Sequence, residues 1–191
     1  MIFAEALQRL ARRLQTCEEW LEMVRDLARP IHAGPPPEGL RQRWAGAADL
    51  MAINALDGFV KDTAFMEAAL RKGDHCLLLE SDGAIEAFAW VTFRDFRLAP
   101  WYTLKLSPGW CYLEYIFVHP AIGRRGVGTY LLGELMTAVR DQGATHMIAG
   151  MYATWEASIR LHTRLGFDLH RRLTQCRLLN IFPTPPKAEQ A

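Results

Sequence analysis

The stretch from Trp110 to Val139 most constrains the fold, because a strand, a glycine-rich turn and a helix follow one another in it. Trp110–Val118 (WCYLEYIFV) is rich in aromatic and β-branched residues, which favour a central strand. The turn GRRGVG comes next. Apolar side chains then recur at helical spacing, at Leu131, Leu132, Leu135, Met136 and Val139. We therefore expect a strand that leads through a tight turn into a helix, with Gly143 placed to cap the helix end.

Short strands and helices alternate on both sides of this unit. Cys76–Ser81 (CLLLES) predicts a buried strand, and Asp82-Gly83 is the dipeptide of a two-residue hairpin turn. Ala84–Phe93 predicts the returning strand. Farther along the chain, the pattern predicts a strand at 144–151, a helix at 154–165 and closing strands at 169–180. The order β-β-β-α-β-α-β indicates an α+β domain with a mixed sheet and flanking helices.

Residues 1–72 have the pattern of helices. Phe3, Leu7, Leu10 and Leu14 recur at helical spacing, and Thr16-x-x-Glu19 has the form of a capping box that opens a helix through about Leu27. Helical stretches are also predicted at 40–56 and 63–72. We divide the chain into a helical N-terminal segment (1–72), a core (73–181) and a proline-containing tail (182–191) predicted to be disordered. The apolar faces of the N-terminal segment are expected to pack on the sheet or to form a homodimer contact.

Composition excludes several classes of protein. Lys and Arg number 22 against 21 for Asp and Glu, so no net charge directs the chain to nucleic acid or to a membrane surface. No apolar run approaches the ~18 residues of a membrane span, and the first residues do not resemble a secretory signal. Four scattered cysteines lack the spacing of a zinc site or a disulfide framework, which predicts buried thiols and a cytoplasmic protein.

The turn between Val118 and Thr129 (VHPAIGRRGVGT) is the best candidate for a binding site. A helix N-terminus presents unpaired N–H groups and positive potential, which suits a phosphate. Gly126 and Gly128 lack the Cβ atoms that would hold a ligand away from the backbone, and Arg124 and Arg125 add positive charge. An ordinary strand-to-helix turn accounts for the glycines equally well. The dinucleotide fingerprint is excluded because it would need glycine at Leu131, and the phosphate loop of nucleoside triphosphatases is excluded because no Gly-Lys-Ser/Thr is present.

Two motifs in this order resemble those of the GCN5-related N-acetyltransferases (GNAT). Tyr112–Thr129 is similar to the family's acetyl-CoA-binding motif, in which a strand ending in Val-x-Pro precedes Arg/Gln-x-x-Gly-x-Gly/Ala and a helix. Trp155–Phe167 (WEASIRLHTRLGF) resembles the family's second helix motif, which ends in Gly-Phe. The resemblance implies a mostly antiparallel central sheet with flanking helices, acetyl-CoA as co-substrate, no metal, and N-acetyl transfer to an amine.

The resemblance also assigns cofactor contacts residue by residue. The strand backbone at Ile116, Phe117 and Val118 is expected to bond the pantetheine arm. The pyrophosphate is expected on the amides of residues 124–129, which are Arg124, Arg125, Gly126, Val127, Gly128 and Thr129. The sequence departs from the family pattern at two positions and in one segment. Gly123 replaces Arg or Gln, Trp155 replaces Asn, and residues 1–72 show no clear first strand.

Glu114 and His162 are the candidate catalytic residues. Strand alternation predicts that Glu114 shares a face with Tyr112, Ile116 and Val118, where a glutamate could take the proton of an alkylammonium acceptor. A structural ion pair is the alternative for this residue. The resemblance places His162 where the family has a tyrosine that protonates the CoA thiolate, and the alternative is a histidine packed in the core.

The leading hypothesis is an enzyme whose acceptor amine attacks acetyl-CoA directly in a ternary complex, because Cys111 has no histidine partner for a covalent route. One alternative is a non-catalytic CoA-binding regulatory protein on a degenerate GNAT fold. Another is an acyltransferase that uses a larger acyl donor. The acceptor is expected to be the amine of a small molecule or peptide. The resemblance implies that the N-terminal segment, residues 1–72, lines the acceptor side, with a homodimer contact as the alternative. Trp101 and Tyr102 are predicted either to wall the acceptor pocket or to cover a sheet edge.

Overall fold

The computed structural model describes residues 15–56, 63–99, 102–122, 126–178, 182–183 and 187–190. Its strands are β1 Gln15–Asp26, β2 Arg41–Trp44, β3 His75–Ser81, β4 Ala84–Thr92, β5 Phe96–Ala99, β6 Tyr102–Leu104, β7 Trp110–Val118, β8 His146–Tyr152, β9 Asp168–Leu178, β10 Phe182–Pro183 and β11 Lys187–Gln190. The α-helices are α1 Leu50–Asn54, α2 Thr63–Arg71, α3 Val127–Asp141 and α4 Glu156–Arg164. Short 3₁₀ turns occupy Ala47–Asp49 and Pro120–Ile122.

One large sheet organises the molecule. Its strands lie in the order β10-β9-β1-β8-β7-β4-β3-β2, with β11 paired to β9. β7 and β8 are parallel, and the other neighbouring pairs of this sheet are antiparallel. The predicted α+β class with a mixed, mostly antiparallel sheet is therefore confirmed. The predicted hairpin turn is confirmed too, since Asp82 and Gly83 both have positive φ, as a two-residue turn between twisted strands requires.

Helices cover both faces of this sheet. α3 and α4 contribute to the larger core cluster, on the face that carries Leu113 of β7 and Ala149 of β8. α1 and α2 pack on the other face, around Phe88 and Trp90 of β4. The β5–β6 hairpin forms a two-stranded sheet on a third cluster built from Leu104, Tyr112 and Ile148. The predicted connection at 97–109 therefore includes a hairpin.

The N-terminal segment differs most from its prediction. The helix expected at 16–27 is strand β1, which lies between β8 and β9, and the stretch 40–56 begins with strand β2. Glu19 of the supposed capping box instead bonds Arg172 across the sheet at 2.6 Å. A strand buried on both faces has apolar residues on both sides, so its sequence imitates a helix. The helix predicted at 63–72 is present as α2, and the one predicted over Phe3–Leu14 lies outside the described residues.

Two further expectations need correction. Cys17 and Cys176 form a disulfide, because β1 and β9 place them directly opposite each other in the antiparallel register. Their sequence separation of 159 residues hid this pairing from any argument based on spacing. Cys76 and Cys111 are buried free thiols, as predicted. In the tail predicted to be disordered, Phe182–Pro183 and Lys187–Gln190 pair with the open edge of β9.

Candidate active site

β7 and β8 separate along their length and open a cleft in the sheet. Within the described chain their pairing runs from Trp110–His146 to Leu113–Ala149 and stops there. β7 continues to Val118, paired only with β4 on its other side. The backbone of residues 114–118 thus lines an opening in the sheet, where it can bond an extended ligand as an added strand would. The predicted site at Ile116, Phe117 and Val118 lies on this free stretch.

The cleft contains an apolar cavity of about 520 Å³, here called the cleft cavity. β7 supplies one wall and α4 the opposite one. Its lining residues are Trp20, Phe96, Leu98, Tyr112, Leu113, Glu114, Tyr115, Ile116, Val118, Gly150, Trp155, Ala157, Ser158 and Leu161. Ile116 and Val118 line it with their side chains, whereas Phe117 stacks on Phe88 on the far face of the sheet. The aliphatic and aromatic lining suits an uncharged arm such as pantetheine.

A second cavity of about 410 Å³, the helix-end cavity, lies at the N-terminus of α3. It is lined by Gly126, Val127, Gly128 and Thr129 together with Arg160, Arg164 and three residues that also line the cleft cavity: Val118, Ala157 and Leu161. The two cavities therefore adjoin at these three residues, and together they are called the groove. The predicted cradle residues 126–129 all line it, while Gly123, Arg124 and Arg125 lie outside the described residues.

The two glycines of the cradle have different roles. Gly126 precedes α3 with φ of +78°, a backbone conformation that side chains disfavour, so glycine is needed there for the turn. Gly128 has no such constraint. A Cβ at Gly128 would lie 3.6 Å from Val118 and 3.7 Å from Leu161, in the floor of the groove. Glycine at position 128 thus keeps the groove open in front of the helix amides, which fits a pyrophosphate bound at a helix N-terminus.

Glu114 lies at a β-bulge of β7. The register with β4 shifts between the pairs Trp90–Tyr115 and Val91–Leu113, which leaves Glu114 as the extra residue. A bulge breaks side-chain alternation, so the predicted common face with Ile116 and Val118 is wrong. Leu113, Ile116 and Val118 pack on the cluster that contains α3. Glu114 instead lines a further cavity against α2.

That further cavity, the α2 cavity, has a volume of about 270 Å³ and meets the cleft cavity at Phe96 and Glu114. Its lining is mixed in charge: Phe65, Ala68, Ala69, Lys72, Asp74, Thr92, Arg94, Asp95, Phe96, Arg97 and Glu114. Asp74 is buried, accepts a hydrogen bond from Thr92 Oγ1 at 2.8 Å, and is paired with Arg94. The Glu114 carboxylate therefore borders both an apolar cleft and a charged pocket that opens on the other side of the sheet.

His162 lies in the core rather than at the groove. It is 2% exposed, packs edge-on against Phe167, and lines neither the cleft cavity nor the helix-end cavity. Its Nδ1 donates to the carbonyl of Ser158 at 2.8 Å, while Nε2 has no partner among the described residues. Burial lowers the pKa of the imidazole, and the Ser158 carbonyl partly opposes this. This position does not favour the predicted role as an acid for the CoA thiolate.

Some residues that line the cleft cavity were not predicted from the sequence, because they come from segments distant from β7. Trp20 of β1 lies over Gly150 of β8, close enough that a Cβ at position 150 would clash with the indole ring. Tyr102 lines none of the cleft, helix-end and α2 cavities. Its hydroxyl donates to Glu22 Oε1 at 2.6 Å, and Arg171 Nε bonds Glu22 Oε2 at 2.5 Å. Glu22 is 0% exposed, so this trio fastens the β5–β6 hairpin over β1. Trp101 lies outside the described residues.

Comparison with known proteins identifies a matching family and two similar acyltransferases. Residues 43–167 match the family model described as "Acetyltransferase (GNAT) family". The L-methionine sulfoximine/L-methionine sulfone acetyltransferase of Salmonella typhimurium is 34% identical over 116 residues, 59% of this chain and 61% of that protein. The L-amino acid N-acyltransferase MnaT of Escherichia coli is 31% identical, over 59% of this chain and 60% of that protein. The match thus spans about 60% of the length of each relative.

A solved structure matches over more of the chain. The GCN5-related N-acetyltransferase from Sphaerobacter thermophilus superposes with a TM-score of 0.67 at 17% identity, covering 92% of this chain and 56% of that one. At this identity the likeness concerns the fold. In the part of the chain that the structure describes, no helix is long and apolar enough to span a bilayer.

Proposed function

The chain belongs to the GNAT acetyltransferase family, and from that premise we propose that it transfers the acetyl group of acetyl-CoA to the amine of a small molecule. The observation that carries the proposal is the groove of two adjoining cavities that extends from the α3 N-terminus to Glu114. Its one end offers helix amides and glycines to a pyrophosphate, and its apolar middle suits pantetheine. The thioester would then lie near Glu114, where the α2 cavity begins.

Glu114 is proposed as the base. An alkylamine is mostly protonated at neutral pH, with a pKa of ~10.4 for a lysine-like group, so it must lose a proton before it attacks a thioester carbonyl. A carboxylate at the junction of the two cavities can take that proton directly or through water. The amine nitrogen then bonds to the acetyl carbon, the carbon–sulfur bond breaks, and the second proton of the nitrogen passes to the departing CoA thiolate or to solvent. Because a thiol has a pKa of ~8.5, its thiolate leaves without an obligatory acid.

The acceptor is proposed to be a compound of amino-acid size. The two relatives are named for L-methionine sulfoximine or sulfone and for L-amino acids. The α2 cavity supports an acceptor of this type, because its lining includes the cationic Lys72 as well as the Glu114 carboxylate. A zwitterion presents one charge of each sign to such a pocket. Acetyl is proposed as the acyl group, and no metal is needed in this scheme.

An amine panel tests this function. The protein would be incubated with acetyl-CoA and L-methionine sulfone, common L-amino acids, diamines and short peptides, and the acetylated products identified by mass spectrometry. Acetylation of one small amine, dependent on protein and time, is expected. Binding of acetyl-CoA without any acetylated product would favour the non-catalytic alternative. Competition by longer acyl-CoA donors that also transfer would favour the larger-donor alternative.

A cytoplasmic location is proposed as the sequence predicts, and the Cys17–Cys176 disulfide is the feature that weighs against it, since thiols stay reduced in most cytosols. Alkylation of thiols in intact cells, followed by mass analysis of both cysteines, measures the redox state that decides this point.

A homodimer through the N-terminal segment also stays a prediction, and sedimentation velocity measures it.

A further inference from the structure

A pocket lined with basic side chains lies beyond the C-terminal end of α4. This arginine pocket has a volume of about 260 Å³ and is lined by Arg25, Arg29, Pro30, His32, Arg164, Leu165 and Gly166. The three guanidinium groups come from two distant parts of the chain, the end of β1 with its following loop and the end of α4. The pocket is outside the groove assigned above to pantetheine and pyrophosphate.

Arg25 is the buried side chain of this pocket, and hydrogen bonds hold it in place. It is 3% exposed, and its Nη2 donates to the carbonyls of Arg29 at 3.2 Å and Pro30 at 2.6 Å. Its Nε is buried and has no hydrogen-bond partner among the described residues. Gly166 has φ of +78°, and a Cβ there would lie 3.2 Å from Nη1, so glycine admits the guanidinium. A guanidinium that backbone carbonyls hold in place gives the pocket wall a fixed positive charge, which is suited to an anion.

The charges around Arg25 leave the pocket positive. Burial lowers the pKa of Arg25, and the neighbouring Arg29 lowers it further, while Asp26 and Asp168 oppose this. Asp168 is paired with Arg29 at 2.6 Å, and both side chains are largely exposed. Arg164 is exposed and forms no ion pair within the described part of the chain. Three guanidinium groups therefore face two carboxylates, and a bound anion would improve this balance.

Arg164 connects the pocket to the donor groove, because it also lines the helix-end cavity. Leu161, which lies against the Gly128 position, precedes Arg164 by about one helical turn, roughly 5 Å along the axis. A ligand with its pyrophosphate at Gly128 would therefore have the arginine pocket one turn away. In coenzyme A, only the C5′, C4′ and C3′ carbons of the ribose separate the pyrophosphate from the 3′-phosphate.

We propose that the arginine pocket binds the 3′-phosphate of the coenzyme A donor, with Arg25, Arg29 and Arg164 as its cations. This inference rests on the proposed function, because it assumes that the groove holds a CoA thioester. A phosphate monoester carries up to two charges and several acceptor oxygens, which matches convergent guanidinium groups better than a lone lysine would. The N-terminal strand β1 and the loop after it would then help the protein to distinguish CoA from donors that lack the 3′-phosphate, in addition to completing the sheet.

Calorimetric titration with CoA and with 3′-dephospho-CoA tests the pocket. The wild type is expected to bind CoA tighter by roughly tenfold or more, the size expected for losing hydrogen bonds to a charged group. Because Arg164 also lines the helix-end cavity, Arg164→Gln should weaken both ligands somewhat, whereas Arg29→Gln should weaken CoA alone. Arg29→Gln and Arg164→Gln should nevertheless both reduce the preference for CoA. These two side chains are exposed, so their replacement should preserve the fold. Melting curves check that expectation.

Two matched variants sharpen the result. Arg160→Gln alters the helix-end cavity but not the arginine pocket, so both ligands should weaken by the same factor. Arg140→Gln, an exposed change at the end of α3, should alter neither affinity. Equal wild-type affinity for CoA and dephospho-CoA, with acetyl transfer intact, would overturn the pocket assignment alone. If neither compound binds, the proposed function fails and this proposal falls with it.

Discussion

Leu113 of β7 is paired with Ala149 of β8, and this is the last pair between the two parallel strands in the described chain. Directly after Leu113 comes Glu114, the extra residue of a bulge in the ladder with β4. The strand thus leaves β8 at the point where it also changes its side-chain alternation. A cleft for an acyl donor and a carboxylate beside it arise from the same local irregularity.

Gly128→Val should weaken CoA binding roughly tenfold or more, which corresponds to about 1.4 kcal/mol. The first side-chain atom would meet Val118 and Leu161 at ordinary contact distances, so the fold should persist while the methyl groups fill the groove. Calorimetric titration and a melting curve measure the two effects. Gly46→Val, at a position away from the groove, serves as the control. Unchanged CoA affinity in the Gly128 variant would contradict the cradle assignment.

Gly126→Val should behave differently from the Gly128 variant. Its positive φ costs an ordinary residue on the order of 1–2 kcal/mol, while no atom lies within 4 Å of the added Cβ. We therefore expect a lower melting temperature as the first effect, and weaker CoA binding as a consequence of a displaced helix start. Thermal denaturation with and without CoA separates these effects. An unchanged melting temperature would show that the turn does not depend on glycine here.

Glu114→Gln should lower turnover by ~10²-fold or more at neutral pH if Glu114 is the base. The defect should shrink as pH rises toward the amine pKa of ~10.4, because more acceptor then arrives already neutral. CoA affinity should stay near wild type. Glu134→Gln, a half-buried glutamate of α3 bonded to Gln42, is the matched control. A pH-independent defect with reduced thermal stability would instead identify Glu114 as a structural residue.

His162→Asn should make stability less dependent on pH. Burial lowers the pKa of His162 in the folded state below its ordinary value of ~6.5. Its contribution to stability is therefore present above pH ~6.5 and lost as pH falls from there toward the folded pKa. Between pH 7 and pH 5 the wild type should lose more melting temperature than the variant does. Equal losses would contradict this.

The same variant also tests catalysis by His162. With the imidazole in the core, turnover should stay within about tenfold of wild type, below the 10²–10⁴ usual for a general acid. A larger loss in a variant that remains folded would restore the role that the sequence suggested for His162.

Cys17→Ser should lower the free energy of unfolding by about 2–4 kcal/mol, because the disulfide closes a long loop of the unfolded chain and joins β1 to β9. The variant in the absence of reductant should match the wild type with reductant. Chemical denaturation under both conditions measures this. A wild type that is insensitive to reductant would show that the bond adds nothing to stability.

The sequence predicted well what is encoded locally. β7, the start of α3, and the Asp82-Gly83 turn follow from residues within one short stretch. The prediction was wrong for β1, which carries two buried charges. The partners of Glu22, Arg171 and Tyr102, come from distant parts of the chain. The partner of Arg25 is the carbonyl of Pro30, in the loop that follows the strand. The bulge at Glu114 could not be predicted from the sequence either, because it is defined by the register of β7 with β4 and not by β7 alone.

Acetyl transfer is tested most directly by the initial rate at which free CoA thiol appears from acetyl-CoA, with and without L-methionine sulfone or the best acceptor of the amine panel. We expect a rate that depends on the amine, equals the rate of N-acetylated product, and falls by ~10²-fold in Glu114→Gln at neutral pH. A thiol release rate that is the same with and without every amine, despite tight binding of acetyl-CoA, would contradict the proposed transfer.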